Sequence, residues 1–327
     1  MLKKILIELE KRFSKNGDHR RRLNYLKDLK KEYPKNEMVS KLIQIFKQKI
    51  YGINGATFLY ENFFKLPDVN VLFQNGIFEV EGVKFDLSSS SAREVFFAEF
   101  LDLFCIDDHF KKSKENELFY QIMKDIHFSI GEGPYQYNSV ALSPNSVVID
   151  AGANLGIFSI LANHFYKAEC YAFEPVQSTI KLLEKNIKLN RMEDAIKVVP
   201  YGLNDKECDL DIQTDECGIG SSSFVRNPKK CVGMEKIHCI TLDQWVQKNN
   251  ISKIDFIKAD IEGAERNMLL GATEVLKKNA PKLSICTYHL PDDPQILEEI
   301  ILRANPNYKI EHAFLKLYAY VPNGINN

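Results

Sequence analysis

The stretch from Val147 to Pro175 constrains the fold of this 327-residue chain more than any other. It reads V-V-I-D-A-G-A-N-L-G, then an amphipathic run, then E-C-Y-A-F-E-P. An apolar run ending in Asp150 predicts a buried parallel strand. Gly152, Asn154 and Gly156 then turn the chain into a helix, because glycine carries no Cβ and asparagine tolerates left-handed backbone. That composition predicts a backbone that a ligand can approach closely. A second apolar strand, Cys170 to Phe173, ends in Glu174. A carboxylate there suits two ribose hydroxyls, which are hydrogen-bond donors. Strand, glycine turn, helix, strand and acid make half of a nucleotide-binding α/β sheet.

The turn also discriminates between nucleotides. A dinucleotide fold needs G-x-G-x-x-G, so that helix amides meet a pyrophosphate. Here the spacing is D-x-G-x-N-x-G, with no third glycine at the required offset. Asp150 at the turn would repel a phosphate and attract an ammonium or sulfonium. S-adenosylmethionine carries both cations and a ribose, and no phosphate. The methyl donor therefore fits better than NAD. The plainer reading is a glycine-containing turn with no ligand, and Glu174 at ribose spacing argues against it.

Bulk properties exclude several classes. Hydrophobic content of 45% and charged content of 27% are ordinary for a globular chain. A net charge of −1 gives no global drive toward nucleic acid. No apolar run approaches the roughly 20 residues of a membrane span. The N-terminal lysines and short apolar patch are interrupted by Glu8 and Glu10 before a signal-peptide core forms. The seven cysteines form no C-x-x-C, which predicts free thiols in a reducing cytoplasm.

Charge is uneven along the chain. Residues 1–50 hold 15 Lys and Arg against 6 Asp and Glu, so the remainder carries about ten negative charges in excess. Apolar spacing at Ile5, Leu6, Leu9 and Phe13, then at Leu23, Leu26 and Leu29, predicts helical hairpins broken near Pro34. The run His19–Arg22 is read as a solvated helix face, with an anionic partner as the sharper alternative. Asn75-Gly76 between two apolar runs predicts a β-hairpin over residues 69–87. Ser88 to Ser91 offer caps for a helix Ala92–Cys105, and a lysine-rich connection, Lys111–Asn116, follows. The expected division is a mostly helical accessory domain, 1–125, and an α/β domain, 126–327.

From about residue 145 strands and helices alternate, which means a mostly parallel sheet with helices on both faces. Strands are expected at Val147–Asp150, Cys170–Glu174, Ile196–Pro200, Phe256–Ala259 and Leu283–Thr287. Helices are expected at Ile157–Phe165, Ser178–Asn190, Thr241–Lys248 and Gln295–Leu302. A hairpin around Cys208–Gln213 and a polar loop, Gly218–Ser223, lie between. Tyr308–Phe314 and Lys316–Val321 close the chain as antiparallel strands.

Ligands in such sheets sit outside the carboxyl ends of the strands. That edge would present Asp150, Glu174, Asn204, Asp205, Asp260, Glu262, Tyr288 and His289. Asp150, Gly152, Asn154 and Gly156 are assigned to the methionine end of the cofactor, with Asp260 beside them. Glu174 takes the ribose, and Asn204 and Asp205 could reach the adenine. Methyl transfer to a hydroxyl needs a proton acceptor aligned with the sulfonium carbon. His289 is the best base by intrinsic pKa. Asp260 and Glu262 are rivals, either as bases or as ligands of Mg²⁺ or Mn²⁺. Plainer readings make His289 a cap on the fifth strand and Glu262 a residue favoured at a helix N-terminus. Ser221, Ser222 and Ser223 are read as loop.

Taken together, these motifs resemble the FkbM family of S-adenosylmethionine-dependent methyltransferases. The matching stretches are G-P-Y-x-x-N-S-V (133–140), V-V-I-D-A-G-A-N-L-G-I-F-S (147–159), A-F-E-P (172–175) and I-K-A-D-I-E-G-A-E (257–265). C-T-Y-H-L-P-D-D (286–293) looks like a form found in members that modify sugars. Sugar-modifying members often end with an Arg-His pair, where this chain reads E-H-A-F-L-K-L-Y-A-Y. The resemblance covers about residues 130–310. It implies a doubly wound, Rossmann-like class I methyltransferase sheet with an antiparallel C-terminal strand pair, beside a mainly helical N-terminal region. It also implies an O-methyltransferase, with a saccharide acceptor favoured. A nucleotide-linked sugar for capsule or other surface polysaccharide is the preferred acceptor, made in the cytoplasm. Other readings are a polyketide-type alcohol, phosphoryl or amine acceptor, and a non-catalytic nucleotide-binding scaffold. The N-terminal region is a candidate for homo-oligomer formation.

Overall fold

The computed structural model describes residues 71–80, 82–89, 134–215 and 231–322, with isolated positions between 27 and 43 and at 92 and 96. Most of the expected helical hairpins of residues 1–50, most of the helix after Ala92, the Lys111–Asn116 connection and the Gly218–Ser223 loop lie outside the described residues.

Three short strands open the described chain: β1 (Val71–Gln74), β2 (Ile77–Val80) and β3 (Val83–Asp86). Asn75 and Gly76 have φ of 55° and 79° between paired Gln74 and Ile77, as a tight hairpin turn requires. The run after this turn was expected to continue as one strand. It turns back once more near Gly82, at φ 83°, and makes a meander.

The α/β body follows. Its strands are β4 (Val147–Ala151), β5 (Glu169–Phe173), β6 (Ile196–Val199), β10 (Phe256–Ala259), β11 (Lys282–Cys286), β12 (Lys309–Ala313) and β13 (Lys316–Tyr320). Their order across the sheet is β12-β13-β11-β10-β4-β5-β6. The strands from β11 through β6 are parallel neighbours, whereas β13 runs antiparallel to both β11 and β12. Strand order reverses between β4 and β10, the place where open α/β sheets leave a crevice. In a separate three-stranded sheet, β7 (Gly202–Leu203), β9 (Cys231–Ile240) and β8 (Cys208–Asp215), the hairpin expected around Cys208–Gln213 is instead one continuous strand, β8, paired with the distant β9.

Helices cover both faces of the main sheet. Strand alternation sends Ile149, Ala151, Phe173, Ile257, Leu283 and Leu317 into one apolar core. That core is closed by α3 (Leu242–Lys248), α4 (Glu265–Leu270), α5 (Thr273–Lys278) and α6 (Asp293–Ala304). Trp245 of α3 packs on Tyr171 and Phe173 with ring centroids 4.9 and 5.0 Å apart, so the lone tryptophan is a core residue. The opposite face is met by α1 (Ile157–Tyr166), whose Phe158 lies 5.9 Å from the Phe256 ring.

Helix α2 (Gln177–Leu189) joins the meander to this body. Asn186 Oδ1 accepts from the Asp86 amide at 2.7 Å, and its Nδ2 donates to the Leu155 carbonyl at 2.9 Å. Just past the helix, Asn190 accepts from the Lys84 amide and donates to the Lys84 carbonyl. The two side chains thus satisfy the open edge of β3 as a neighbouring strand would. Buried Asp86 is paired with Lys185 of the same helix. Among the described residues no helix is long and apolar enough to cross a membrane.

Candidate functional site

The turn after β4 adopts the left-handed backbone that its composition predicts: Gly152, Asn154 and Gly156 have φ of 75°, 51° and 80°. The glycines also meet a packing need that the sequence did not reveal. A Cβ on Gly152 would stand 2.0 Å from the Asp260 carbonyl oxygen, and one on Gly156 would stand 2.5 Å from Leu183 Cδ1. These two glycines admit other parts of the protein, the exit of β10 and helix α2. The turn is thereby locked against the Asp260 backbone.

Asp150 was expected to face a cofactor cation. It is fully buried, with Oδ1 3.1 Å from Lys258 Nζ and Oδ2 accepting from Ser159 Oγ at 2.7 Å. Lys258 also donates to the Gly152 carbonyl at 2.7 Å. The carboxylate therefore holds a buried lysine, and that lysine holds the turn. Its charge is neutralised from within the protein.

Glu174 sits where β5 ends, buried, beside that turn. Its Oε2 accepts from the Asn154 amide at 3.1 Å and its Oε1 from the Val176 amide at 3.0 Å. Burial pushes the carboxyl up to about 7, against the opposing pull of the two amides and Lys258. An ionised carboxylate has about four lone-pair sites, so two amides leave acceptor capacity for further donors.

Asn204 and Asp205 follow the short strand β7, outside the main sheet. The Asn204 side chain is buried, accepting from the Asp205 amide at 2.9 Å and donating to Cys208 Sγ at 3.1 Å. Asp205 is exposed. Asn204 thus shapes its own loop, and Asp205 is the more accessible of the two.

Beyond β10 and β11 the expected acid and imidazole groups converge. His289 Nε2 lies 3.6 Å from Asp260 Oδ1 and 3.7 Å from Glu262 Oε2. The imidazole is fully enclosed, whereas the two carboxylates keep 18% and 22% of their side-chain surface open. Glu262 and Gly263 are placed by a turn with φ of 54° and 102°. Glu265, the first residue of α4, closes the far side, its Oε1 2.9 Å from His289 Nδ1. Tyr135 and Tyr288 donate their hydroxyls to Asp260 at 2.8 and 3.1 Å. Lys316, also buried, sits 4.5 Å from the Tyr135 ring centroid.

Charge decides the protonation states. Burial raises the Asp260 carboxyl, but Lys258, Lys316, His289 and the Tyr135 hydroxyl outweigh it and hold the pKa below the ordinary value. Burial lowers the His289 imidazole, but Glu265, Asp260 and Glu262 together hold it above the ordinary value. A protonated ring is a donor, so in this state the carboxylates are the better placed proton acceptors. Glu265, Tyr135, Lys258 and Lys316 had not been singled out from the sequence. The first three lie within motif stretches quoted for the family, which was their available signal.

The sequence model of the family described as "Methyltransferase FkbM domain" matches residues 150–320, just over half of the chain. The chain is 25% identical over 167 residues to "Methyltransferase sdnD" of Sordaria araneosa, covering 42% of this chain and 64% of that protein. It is 25% identical over 166 residues to "Hexuronic acid methyltransferase AglP" of Haloferax volcanii, covering 51% of this chain and 65% of that one. The chain thus spans less than two thirds of the length of these curated relatives. Among solved structures, methyltransferase FkbM from Methylobacillus flagellatus KT aligns at a TM-score of 0.45 and 20% identity, over 70% of this chain and 59% of that one.

Proposed function

The chain belongs to the FkbM methyltransferase family, and on that premise we propose that it is an S-adenosylmethionine-dependent O-methyltransferase acting on a sugar hydroxyl. One observation carries the reading. The turn of β4 and Glu174 lie at the strand-order reversal, and the Asp260, Glu262 and His289 cluster adjoins them through the Gly152 contact. A donor site and a deprotonating site are thus built on one sheet edge.

The residues present fit the cofactor. Glu174 is a buried acceptor with lone pairs to spare, suited to ribose hydroxyls. The Gly152–Gly156 turn would hold the methionine end, with Asp150 acting on it through Lys258. Asp205 is the residue proposed to reach the adenine, with Asn204 shaping the loop beneath it. When bound, the cofactor supplies an electrophilic methyl group on a sulfonium. The chain's own task is to align an acceptor hydroxyl, exclude water and accept one proton. Asp260 and Glu262 are open enough to take that proton, and His289 positions them from behind.

The sugar acceptor rests on the Y-H-L-P-D-D stretch and on similarity to a protein named for hexuronic acid methylation. A nucleotide-linked sugar destined for capsule or other surface polysaccharide, methylated in the cytoplasm, is the preferred form. Residues 1–125 are proposed as an accessory region, with self-association as its role. The test is a methyl-transfer assay against a panel of nucleotide sugars, read by mass spectrometry. One sugar should gain the mass of a single methyl group. Methylation of non-sugar alcohols or amines alone would overturn the sugar assignment.

A further inference from the structure

We propose that Asp260, Glu262 and His289 bind a divalent cation of the Mn²⁺ or Mg²⁺ type, the imidazole releasing its proton to solvent as the ion binds, with Glu265 orienting the ring. The inference deepens the reading above and rests on it only for what the ion would do there. Three observations meet at this point. First, the ring is fully enclosed, and His289 Nε2 makes no hydrogen bond although it points at two carboxylates. Its separations of 3.6 and 3.7 Å are too long for hydrogen bonds. With ion bonds of about 2.0–2.2 Å, ligands at right angles lie about 3.0 Å apart, so these separations admit an ion between the groups at a wider angle.

Second, the other ring nitrogen faces a carboxylate at close range, although it too makes no formed hydrogen bond. His289 Nδ1 stands 2.9 Å from Glu265 Oε1. A metal-ligating histidine almost always gives its second nitrogen to a carboxylate or carbonyl, which fixes the tautomer and aims the first. Glu265 Oε2 is itself buried without a hydrogen-bond partner, so the Glu265–His289 pair is a specific device within a closed pocket. Asp260, Glu265 and His289 each offer a ligand atom within 4.8 Å of the others, so the orienting carboxylate lies close to the same site.

Third, access and charge are suitable. Asp260 and Glu262 remain partly open to solvent. Lys258, paired with Asp150, and Lys316 both act on Asp260, so three carboxylates face one imidazole with two lysines close by. One imidazole and two carboxylates with an open side suit an oxygen-preferring ion that tolerates nitrogen, which favours Mn²⁺ over Mg²⁺. Such an ion would lend Lewis-acid assistance to an acceptor hydroxyl.

The test uses the full chain with no methyl donor or acceptor present. Mn²⁺ is titrated in, and the free-ion electron paramagnetic resonance signal reports binding. One saturable site is expected. Asp260→Asn and Glu262→Gln should each weaken it at least tenfold, and Glu265→Gln by about 10–100-fold. Pulsed resonance on the unaltered chain should detect a nitrogen coupled to the bound Mn²⁺, a readout that does not depend on variant folding. No saturable binding at millimolar Mn²⁺, or binding without nitrogen coupling, overturns the proposal. A chain that binds Mn²⁺ yet never binds the methyl donor would refute the methyltransferase reading alone, so the two failures are distinguishable.

Discussion

Glu174 is the residue whose environment changes its chemistry most usefully. Folding raises its pKa from the ordinary 4.5 to about 7, so the folded chain holds the proton more tightly than the unfolded one. Its contribution to stability is therefore complete below about 4.5 and is lost as pH rises through about 7. Ribose hydroxyls donate hydrogen bonds and need the ionised form. Affinity for S-adenosylhomocysteine should accordingly strengthen between pH 6 and pH 8 while the unliganded chain loses some stability. Glu174→Gln should flatten that pH dependence and weaken binding by about 1–3 kcal/mol, measured by calorimetry at several pH values. Affinity that ignores pH in the unaltered chain would remove Glu174 from the ribose site. The buried pair of Asp150 and Lys258 makes a second prediction, since their side chains are 0% and 6% exposed. Lys258→Met strands a carboxylate in the core and should cost about 3–5 kcal/mol in urea denaturation. Adding Asp150→Asn should recover part of that loss. A single-variant loss below about 1 kcal/mol would mean that the pair behaves like a surface one.

Elements that depend on local pattern were legible in the sequence, and those that depend on distant partners were not. Strand β10 matches its expected bounds, Phe256–Ala259, and β4, β5, β6 and β11 fall within one residue at each end. Each is a short apolar run closed by turn residues. Helix α4 was touched on only through the plainer reading of Glu262 as a helix N-terminal residue, and α5 was not anticipated, because six residues are too few for helical periodicity to register. Strand β9 was missed because it pairs with β8 across a long connection, so no short turn announces it. The site divides along the same line. Asp260, Glu262 and His289 stand at strand ends, where alternation alone places them. Tyr135 reaches Asp260 from 125 residues away, and the sequence offers no such pairing. The glycines were read correctly for conformation, whereas the protein atoms that approach Gly152 and Gly156 were not foreseen, because which atoms meet a missing Cβ is a tertiary fact. At this scale the attachment of the meander is testable. Asn186→Ala removes the partners of the Asp86 amide and the Leu155 carbonyl, and should cost about 1–3 kcal/mol. Hydrogen exchange should show faster exchange in β3 than in β11. Unchanged β3 protection would show that the asparagine does not hold the meander.

Across the whole molecule, the sheet places two kinds of chemistry at one edge. The β4 turn and Glu174 form the half proposed to take the methyl donor, and Asp260, Glu262 and His289 form the half proposed to take the acceptor hydroxyl. The turn is closed by Lys258 and by the Asp260 backbone, so the two halves are mechanically one. Family membership fixes the class of chemistry, and the geometry proposes how this chain would perform it. The decisive measurement is titration calorimetry of the full chain with S-adenosylhomocysteine and, separately, with NAD. The account predicts saturable one-site binding of S-adenosylhomocysteine and no saturable heat with NAD. Saturable NAD binding with none for S-adenosylhomocysteine would contradict it.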